Sequence, residues 1–317
     1  MNLSVVIPVY NEEESLGPLL AELRSALDPT GRSYEIIIVD DGSTDDTYPT
    51  LLKLFHAENH LKAVRLKRNF GQTAAVAAGF AHAEGDIIVA MDGDGQNDPK
   101  DIPAMLAKLE DGFDLVSGWR FPRQDPFWSR RLPSRIANGI ISWITGVRLH
   151  DYGCTLKALR HEIAKEVKLY GDMHRFIPAI AFERGARIAE MRVNHRPRRW
   201  GVSKYGIART FRVLLDLLTV KFLLSYATRP LHIFGLVGLA SGGLGFLVAV
   251  HLTIGKIVYD VPIGGRPLLL LAILLIVIGF QFITMGLLGE MLARTYHESQ
   301  GKTTYSIKEV LDGRKTT

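Results

Sequence analysis

Ile87 to Met91 is an unbroken run of five apolar residues that stops at Asp92-Gly93-Asp94-Gly95-Gln96. A run without alternation predicts a strand covered on both faces, as in a parallel sheet. That constrains the surrounding chain, which must supply parallel neighbours and helices for both faces. In open α/β sheets ligands collect at the carboxyl ends of the strands. Two carboxylates two residues apart on a turn there can point at one spot. They repel unless a cation lies between them, and a hard divalent ion with oxygen ligands suits them. Aspartate and glycine are also ordinary turn residues, so this stretch alone reads equally well as a surface turn.

The neighbours are present. Leu3 to Tyr10 reads as a first buried strand, with Pro8 near its end where a missing N–H is tolerable. A helix starts at Asn11-Glu12-Glu13-Glu14-Ser15 and runs to about Ala26. Glu35 to Val39 is a second strand, ending in Asp40-Asp41-Gly42-Ser43-Thr44-Asp45, and Thr44 or Asp45 can cap a helix from Thr47 to about Ala57. Ala63 to Leu66 is a third strand, and Asn69 to Thr73 leads into an alanine-rich helix ending near Gly85. Asp98-Pro99 opens a further helix. Leu115 to Gly118 and Ile188 to Val193 complete the strands. This alternation predicts a doubly wound, mostly parallel sheet. Tyr10-Asn11-Glu12, Asp40-Asp41 and Asp92-Gly93-Asp94 then share one crevice at the carboxyl edge. No glycine-rich dinucleotide fingerprint follows the first strand, and no P-loop motif is present. A nucleotide here would be read by acidic strand ends, with its phosphates held through a metal.

The second half is basic and apolar. Trp119 to Arg135 carries Arg120, Arg123, Arg130, Arg131 and Arg135 among three prolines, either a solvated loop or an anion site at the crevice mouth. Asp151, in Asp151-Tyr152-Gly153-Cys154, either lines the pocket or caps a turn. Between Arg184 and Arg212 the only acid is Glu190. Phe211 to Leu224 has the pattern of an amphipathic helix at a bilayer surface. Ile233 to Val250 and Pro267 to Leu288 carry no charge, and each is near the length that crosses a bilayer, with His251 to Arg266 as the loop between. Gly235, Gly238, Gly242, Gly243 and Gly245 permit close helix packing, and an oligomer is expected from them. Basic residues flank the outer ends of both spans, so both termini are expected in the cytoplasm. The net charge of +5 fits anionic lipid or a sugar nucleotide as well as nucleic acid, and the spans weigh against nucleic acid. Cys154 is the only cysteine, which excludes an intrachain disulfide and a thiolate zinc site. The tail from Tyr296 is polar, with Thr303 to Val310 as a short strand.

Six motifs in order carry a resemblance: Val5 to Glu13 (VVIPVYNEE), Val39 to Asp45 (VDDGSTD), Arg68 to Gln72 (RNFGQ), Met91 to Gln96 (MDGDGQ), Asp151 to Cys154 (DYGC) and Gly201 to Tyr205 (GVSKY). Each is weak alone. Together, ahead of two spans, they make the chain similar to family 2 glycosyltransferases of the GT-A fold. Within these it resembles the group acting on polyprenyl phosphates.

The resemblance implies a Rossmann-like α/β catalytic domain over 1–205, juxtamembrane amphipathic helices over 206–230, a two-helix transmembrane domain over 231–290 and a cytosolic tail over 291–317. It implies that Pro8, Tyr10, Asn11, Glu12, Val39, Asp40, Asp41, Asp92 and Gly93 hold the nucleotide. Asp92, Asp94 and Gln96 are implied as the Mg²⁺ or Mn²⁺ site. Arg120, Arg130, Ser134, Arg199 and Lys204 are implied to hold the acceptor phosphate, and Asp94, Arg120 and Asp151 to serve catalysis, Asp151 as a base or as the group that orients an arginine. The implied reaction is inverting transfer from an NDP-sugar, uridine preferred, to undecaprenyl or dolichyl phosphate at the inner membrane. The family usually has D-A-D-L-Q, and two glycine spacers here are expected to loosen the loop. A processive polysaccharide synthase is one alternative, although Arg196 stands where its Q-x-x-R-W motif needs glutamine. A non-catalytic nucleotide-binding scaffold is another. The sugar itself is not legible.

Overall fold

The computed structural model describes residues 2–121, 138–139, 141–142, 145–167, 169, 173–197, 230–259, 262–264, 266–299 and 305–313. The apolar runs form the centre of one eight-stranded sheet. β1 (Leu3–Val9), β2 (Tyr34–Asp40), β3 (Leu61–Leu66) and β4 (Ile87–Ala90) are parallel, with Val5 opposite both Ile36 and Val89. β5 (Leu115–Arg120) and β7 (Ile188–Val193) pair in parallel on the far side. β6 (Lys157–Arg160), a strand not anticipated from the sequence, lies antiparallel between β4 and β5. It is four residues long and opens with a lysine, so no run of branched residues announces it. With β8 (Ile307–Asp312) at the edge beside β3, the order is β7-β5-β6-β4-β1-β2-β3-β8.

Helices cover both faces. α1 (Glu13–Leu27) buries Leu16, Leu19, Leu20, Leu23 and Leu27, the spacing of a single helical stripe. α2 (Thr47–Ala57) buries Leu51 and Phe55. α3 (Gln72–His82) sits close on the sheet because Gly79 faces Val6, where a Cβ would come within 2.1 Å of the valine side chain. α4 (Ile102–Glu110), α5 (His161–Glu166) and α6 (Ile177–Glu183) are further helices of this unit. Val5, Ile7, Ile36, Ile38 and Val89 share a buried core with the α1 leucines.

The chain divides into two compact units, residues 1–218 with 303–317, and residues 219–302. The last residues of the chain thus group with the first unit. Its strand β8 (Ile307–Asp312) pairs antiparallel with β3, and Asp312 reaches the buried Lys62 at 3.4 Å. In the second unit α7 (Pro230–Tyr259) and α8 (Pro267–Ser299) are long apolar helices. α7 continues to Tyr259, through residues expected as loop. Residues Phe234–Tyr259 and Pro267–Gly289 are apolar and long enough to cross a membrane. Their backbones touch at the small residues: a Cβ on Gly279 would lie 2.7 Å from the Gly238 carbonyl oxygen, and one on Gly245 would lie 2.7 Å from that of Ala272. Gly238, Gly245 and Gly279 thus serve packing within this pair, while Leu236, Leu239, Phe246, Leu247, Leu270 and Phe280 face outward.

Candidate active site

The expected site residues gather at the carboxyl edge of β1, β2 and β4. Asn11 follows β1 with φ of 54°, a left-handed conformation that asparagine tolerates better than most residues. Its N–H donates to Ser43 Oγ at 2.9 Å, and its side-chain oxygen accepts the Thr44 N–H at 2.9 Å. The Glu12 N–H donates to Thr47 Oγ1 at 2.8 Å. The β1 and β2 ends are thereby tied together, with Pro8 opposite Val39 in register.

Asp40 and Asp41 differ in what they hold. The two oxygens of Asp41 accept the N–H groups of Phe70 and Gly71 at 2.8 and 2.9 Å, and burial pushes its carboxyl above the usual range. Asp41 pins the loop that starts α3. Asp40 is fully buried; its Oδ1 accepts the Ser43 N–H at 3.0 Å, its Oδ2 has no hydrogen-bond partner among the described residues, and Arg65 Nε stands 3.5 Å away. Gly42 next to them has φ of 71°, and a Cβ there would lie 2.4 Å from the Arg68 carbonyl carbon. Gly42→Ala is expected to cost about 2–4 kcal/mol through the strained conformation and the backbone clash, read as a lowered midpoint in thermal unfolding. An unchanged midpoint would mean that the two loops are not packed this way.

At the end of β4, Asp92 accepts from Gln72 Nε2 at 2.6 Å on one oxygen and from Thr155 Oγ1 at 2.9 Å on the other. Its pKa is pushed up to about 6, first by burial and then by the charge of Asp94. Asp94 is buried, and its Oδ1 accepts the Gln96 N–H at 3.1 Å. The glycine spacers do not leave this loop loose. Gly93 sits where a Cβ would come within 2.6 Å of Val9 Cγ1, its carbonyl accepts Ser15 Oγ at 2.7 Å, and Gly95 takes φ of 71°. Gln96 turns its amide toward the Arg196 carbonyl at 3.4 Å. Among the described residues no three His, Cys, Asp or Glu side chains gather in a way that could hold a metal. Two carboxylates two residues apart are donors of the kind that suits a divalent ion keeping its other positions for water and phosphate oxygens.

The third part is the D-Y-G-C turn. Asp151, buried, accepts from Arg120 Nε at 2.7 Å and Arg120 Nη2 at 2.9 Å, a two-pronged pair. Glu190 holds this turn from β7, accepting the N–H groups of His150 and Asp151 at 2.8 and 3.1 Å. Gly153 packs against the pair, with a Cβ there 3.0 Å from Arg120 Nη2. Lys157 is buried on β6, donates to the Cys154 carbonyl and has its pKa lowered by burial.

The structure thus brings the β1, β2 and β4 ends together and pairs Arg120 with Asp151. Arg130, Ser134, Arg199, Lys204 and the expected amphipathic helix lie outside the described residues. Gln72, Thr155, Glu190 and Lys157 were not singled out from the sequence. Gln72 ends the RNFGQ motif, Thr155 follows DYGC directly, and Glu190 is the only acid in its basic stretch.

An open, mostly parallel sheet with acidic groups at the ends of β2 and β4 defines a GT-A-like fold. The chain belongs to glycosyl transferase family 2, whose model matches residues 4–168. It is 48% identical to a dodecaprenyl-phosphate galacturonate synthase of Rhizobium johnstonii, covering 98% of this chain and 94% of the relative. It is 38% identical to an undecaprenyl-phosphate 4-deoxy-4-formamido-L-arabinose transferase of Shewanella sediminis, over 99% and 94%. Among solved structures, glucosyl-3-phosphoglycerate synthase of Mycobacterium tuberculosis in complex with Mn²⁺ and UDP-glucose matches with a TM-score of 0.54 at 18% identity, covering 69% of this chain and 78% of that one. That likeness is one of fold.

Proposed function

We propose that this chain transfers a sugar from a uridine diphosphate donor to a polyprenyl phosphate, inverting the anomeric centre. The observation that carries the reading is the combination of the Asp92/Asp94 pair at the β4 end with the Arg120–Asp151 pair beside it, on a chain similar to two polyprenyl-phosphate enzymes over nearly its whole length. A phosphate oxygen of the acceptor attacks C1 of the sugar as the bond from C1 to the diphosphate oxygen breaks. A phosphate monoester is largely ionised near neutral pH, so no proton must be removed, and the electron pair leaves on the diphosphate.

The nucleotide lies against the β1 and β2 ends, at Pro8, Tyr10, Asn11, Glu12, Val39, Asp40 and Asp41, and reaches Asp92 and Gly93. Asp92, Asp94 and Gln96 would hold Mg²⁺ or Mn²⁺, which supplies positive charge to the departing diphosphate. Arg120, with Arg130, Ser134, Arg199 and Lys204, holds the incoming phosphate, because an anion approaching an anionic donor needs fixed cations. Asp151 orients Arg120, since both its oxygens already accept from that guanidinium. The return of the chain from α8 into β8 supports two crossings with both ends of the helix pair on the same side. The basic flanks favour the cytoplasm for that side.

Asp92 favours its neutral form below a pH of about 6, so protons compete with a metal there. Mn²⁺ binding is expected to weaken by about tenfold per pH unit below that value, followed by calorimetry. A flat affinity from about pH 7 to about pH 5 would remove Asp92 from the metal site. The donor is tested by offering the purified protein undecaprenyl phosphate with labelled UDP-galacturonic acid, UDP-glucose, UDP-N-acetylglucosamine or the UDP-formamidoarabinose sugar. Label moving into extractable lipid from one of these supports the reading. Guanosine diphosphate sugars serving in their place would overturn the choice of uridine.

A further inference from the structure

We propose that Glu309, on the strand that follows the membrane helices, is a positioning residue for the nucleotide. The proposal rests on the reading of Asp40 as a nucleotide-binding group. Asp40, Arg65 and Glu309 are register partners on three neighbouring strands: Asp40 opposite Arg65 across β2 and β3, Arg65 opposite Glu309 across β3 and β8. Directly opposed side chains of alternating charge support one another across a sheet. Here the row is closed by Tyr48 from α2. The Arg65 guanidinium lies 3.9 Å from the centre of the Tyr48 ring, and the Tyr48 hydroxyl donates to Glu309 Oε2. At the other end Arg65 Nε stands 3.5 Å from Asp40 Oδ2, a fully buried oxygen with no hydrogen-bond partner among the described residues.

The chain of contacts runs in one direction. Glu309 fixes the ring of Tyr48, the ring fixes the plane of Arg65 by a cation–π contact, and Arg65 sets the charge and the carboxylate angle of Asp40. Without Glu309 the ring and the guanidinium gain freedom, and the cation beside buried Asp40 is no longer held in one plane. The turn that Asp40 Oδ1 holds through the Ser43 N–H would then shift where a donor meets it. The anchoring of β8 itself lies elsewhere, in the Lys62–Asp312 ion pair and in Leu311, which packs on the core. Glu309 is therefore not required for the strand to pair.

The test uses the full-length protein in detergent, with UDP and Mn²⁺ as the binding probe in calorimetry and the labelled donor in the transfer assay. Glu309→Ala is expected to weaken UDP binding about tenfold and raise the donor KM by a similar factor. Its kcat is expected to stay within about twofold and its KM for undecaprenyl phosphate to stay unchanged. Tyr48→Phe keeps the ring but loses the hydroxyl and should behave like Glu309→Ala. Glu309→Gln keeps an acceptor oxygen and should recover most of the affinity. Leu311→Ala loosens β8 without touching the row, and should lower the thermal midpoint with UDP binding unchanged. Wild-type affinity in Glu309→Ala overturns the proposal. So does a loss that merely tracks the thermal midpoint, as strongly in Leu311→Ala as in Glu309→Ala. Asp40→Asn separates the two readings. If it weakens UDP binding while Glu309→Ala does not, only the positioning role fails. If Asp40→Asn binds UDP normally, the nucleotide reading of Asp40 itself is wrong.

Discussion

Asp94→Ala is expected to lower sugar transfer by at least about 10³-fold with little change in folding. Asp94 is buried and its Oδ1 accepts the Gln96 N–H, but most of the loop's shape is set by other groups: Gly93 wedged against Val9, its carbonyl held by Ser15, and Gly95 in the left-handed region. Removing the carboxylate should therefore leave the loop in place. What it removes is half of the charge that would hold a divalent ion. Asp92 makes a less clean test, because its oxygens also accept from Gln72 and Thr155, so its loss would free both. The measurement is a rate of label transfer into lipid, with the thermal midpoint and Mn²⁺ affinity in parallel. Full activity in Asp94→Ala would dismiss the metal site at this turn.

The second large effect concerns Asp151. Asp151→Asn should reduce kcat/KM for the acceptor by about 10²-fold or more, the usual scale when one member of a buried, hydrogen-bonded charge pair is removed. The form of the loss matters more than its size. Asp151 accepts both prongs of Arg120, and Glu190 fixes the backbone beneath it. If Asp151 orients Arg120, the defect appears mainly as a raised KM for polyprenyl phosphate, and saturating acceptor restores part of the rate. If Asp151 takes a proton, kcat falls at every acceptor concentration and the rate of the wild type follows a carboxylate titration. Gly153→Ala probes the same geometry from outside, since its methyl group would press on Arg120 Nη2. It should reproduce the acceptor defect in milder form.

The central sheet was legible because its strands are buried on both faces, so Val5, Ile36 and Val89 sit in uninterrupted apolar runs that only a parallel sheet explains. The acidic strand ends were legible for the same reason, as polar groups that close those runs. What escaped was set by tertiary contact. β6 is a strand because β4 and β5 flank it, and its first residue is a buried lysine that no local pattern would place inside a sheet. A short strand over Thr303 to Val310 is legible in the polar tail, but its partner, the edge at β3, is not. An arginine partner for Asp151 is one of the expected roles, but that it is Arg120, thirty-one residues away, follows only from the fold. The distinction between Asp40 and Asp41 was invisible in sequence, because neighbouring residues on one strand end turn to different partners. Two glycine spacers suggested a loose loop, yet close approach of Gly93 to Val9 makes the small residue a condition of tight packing.

The most direct test of the whole account compares undecaprenyl phosphate with undecaprenol as acceptors for the purified protein, supplied with labelled UDP-sugar and Mn²⁺. The account predicts transfer to the phosphate alone, into a product that partitions into organic solvent, releases its sugar under mild acid and carries the inverted anomer. Label accumulating in insoluble polymer, equal transfer to the unphosphorylated alcohol, or retention at the anomeric carbon would contradict it.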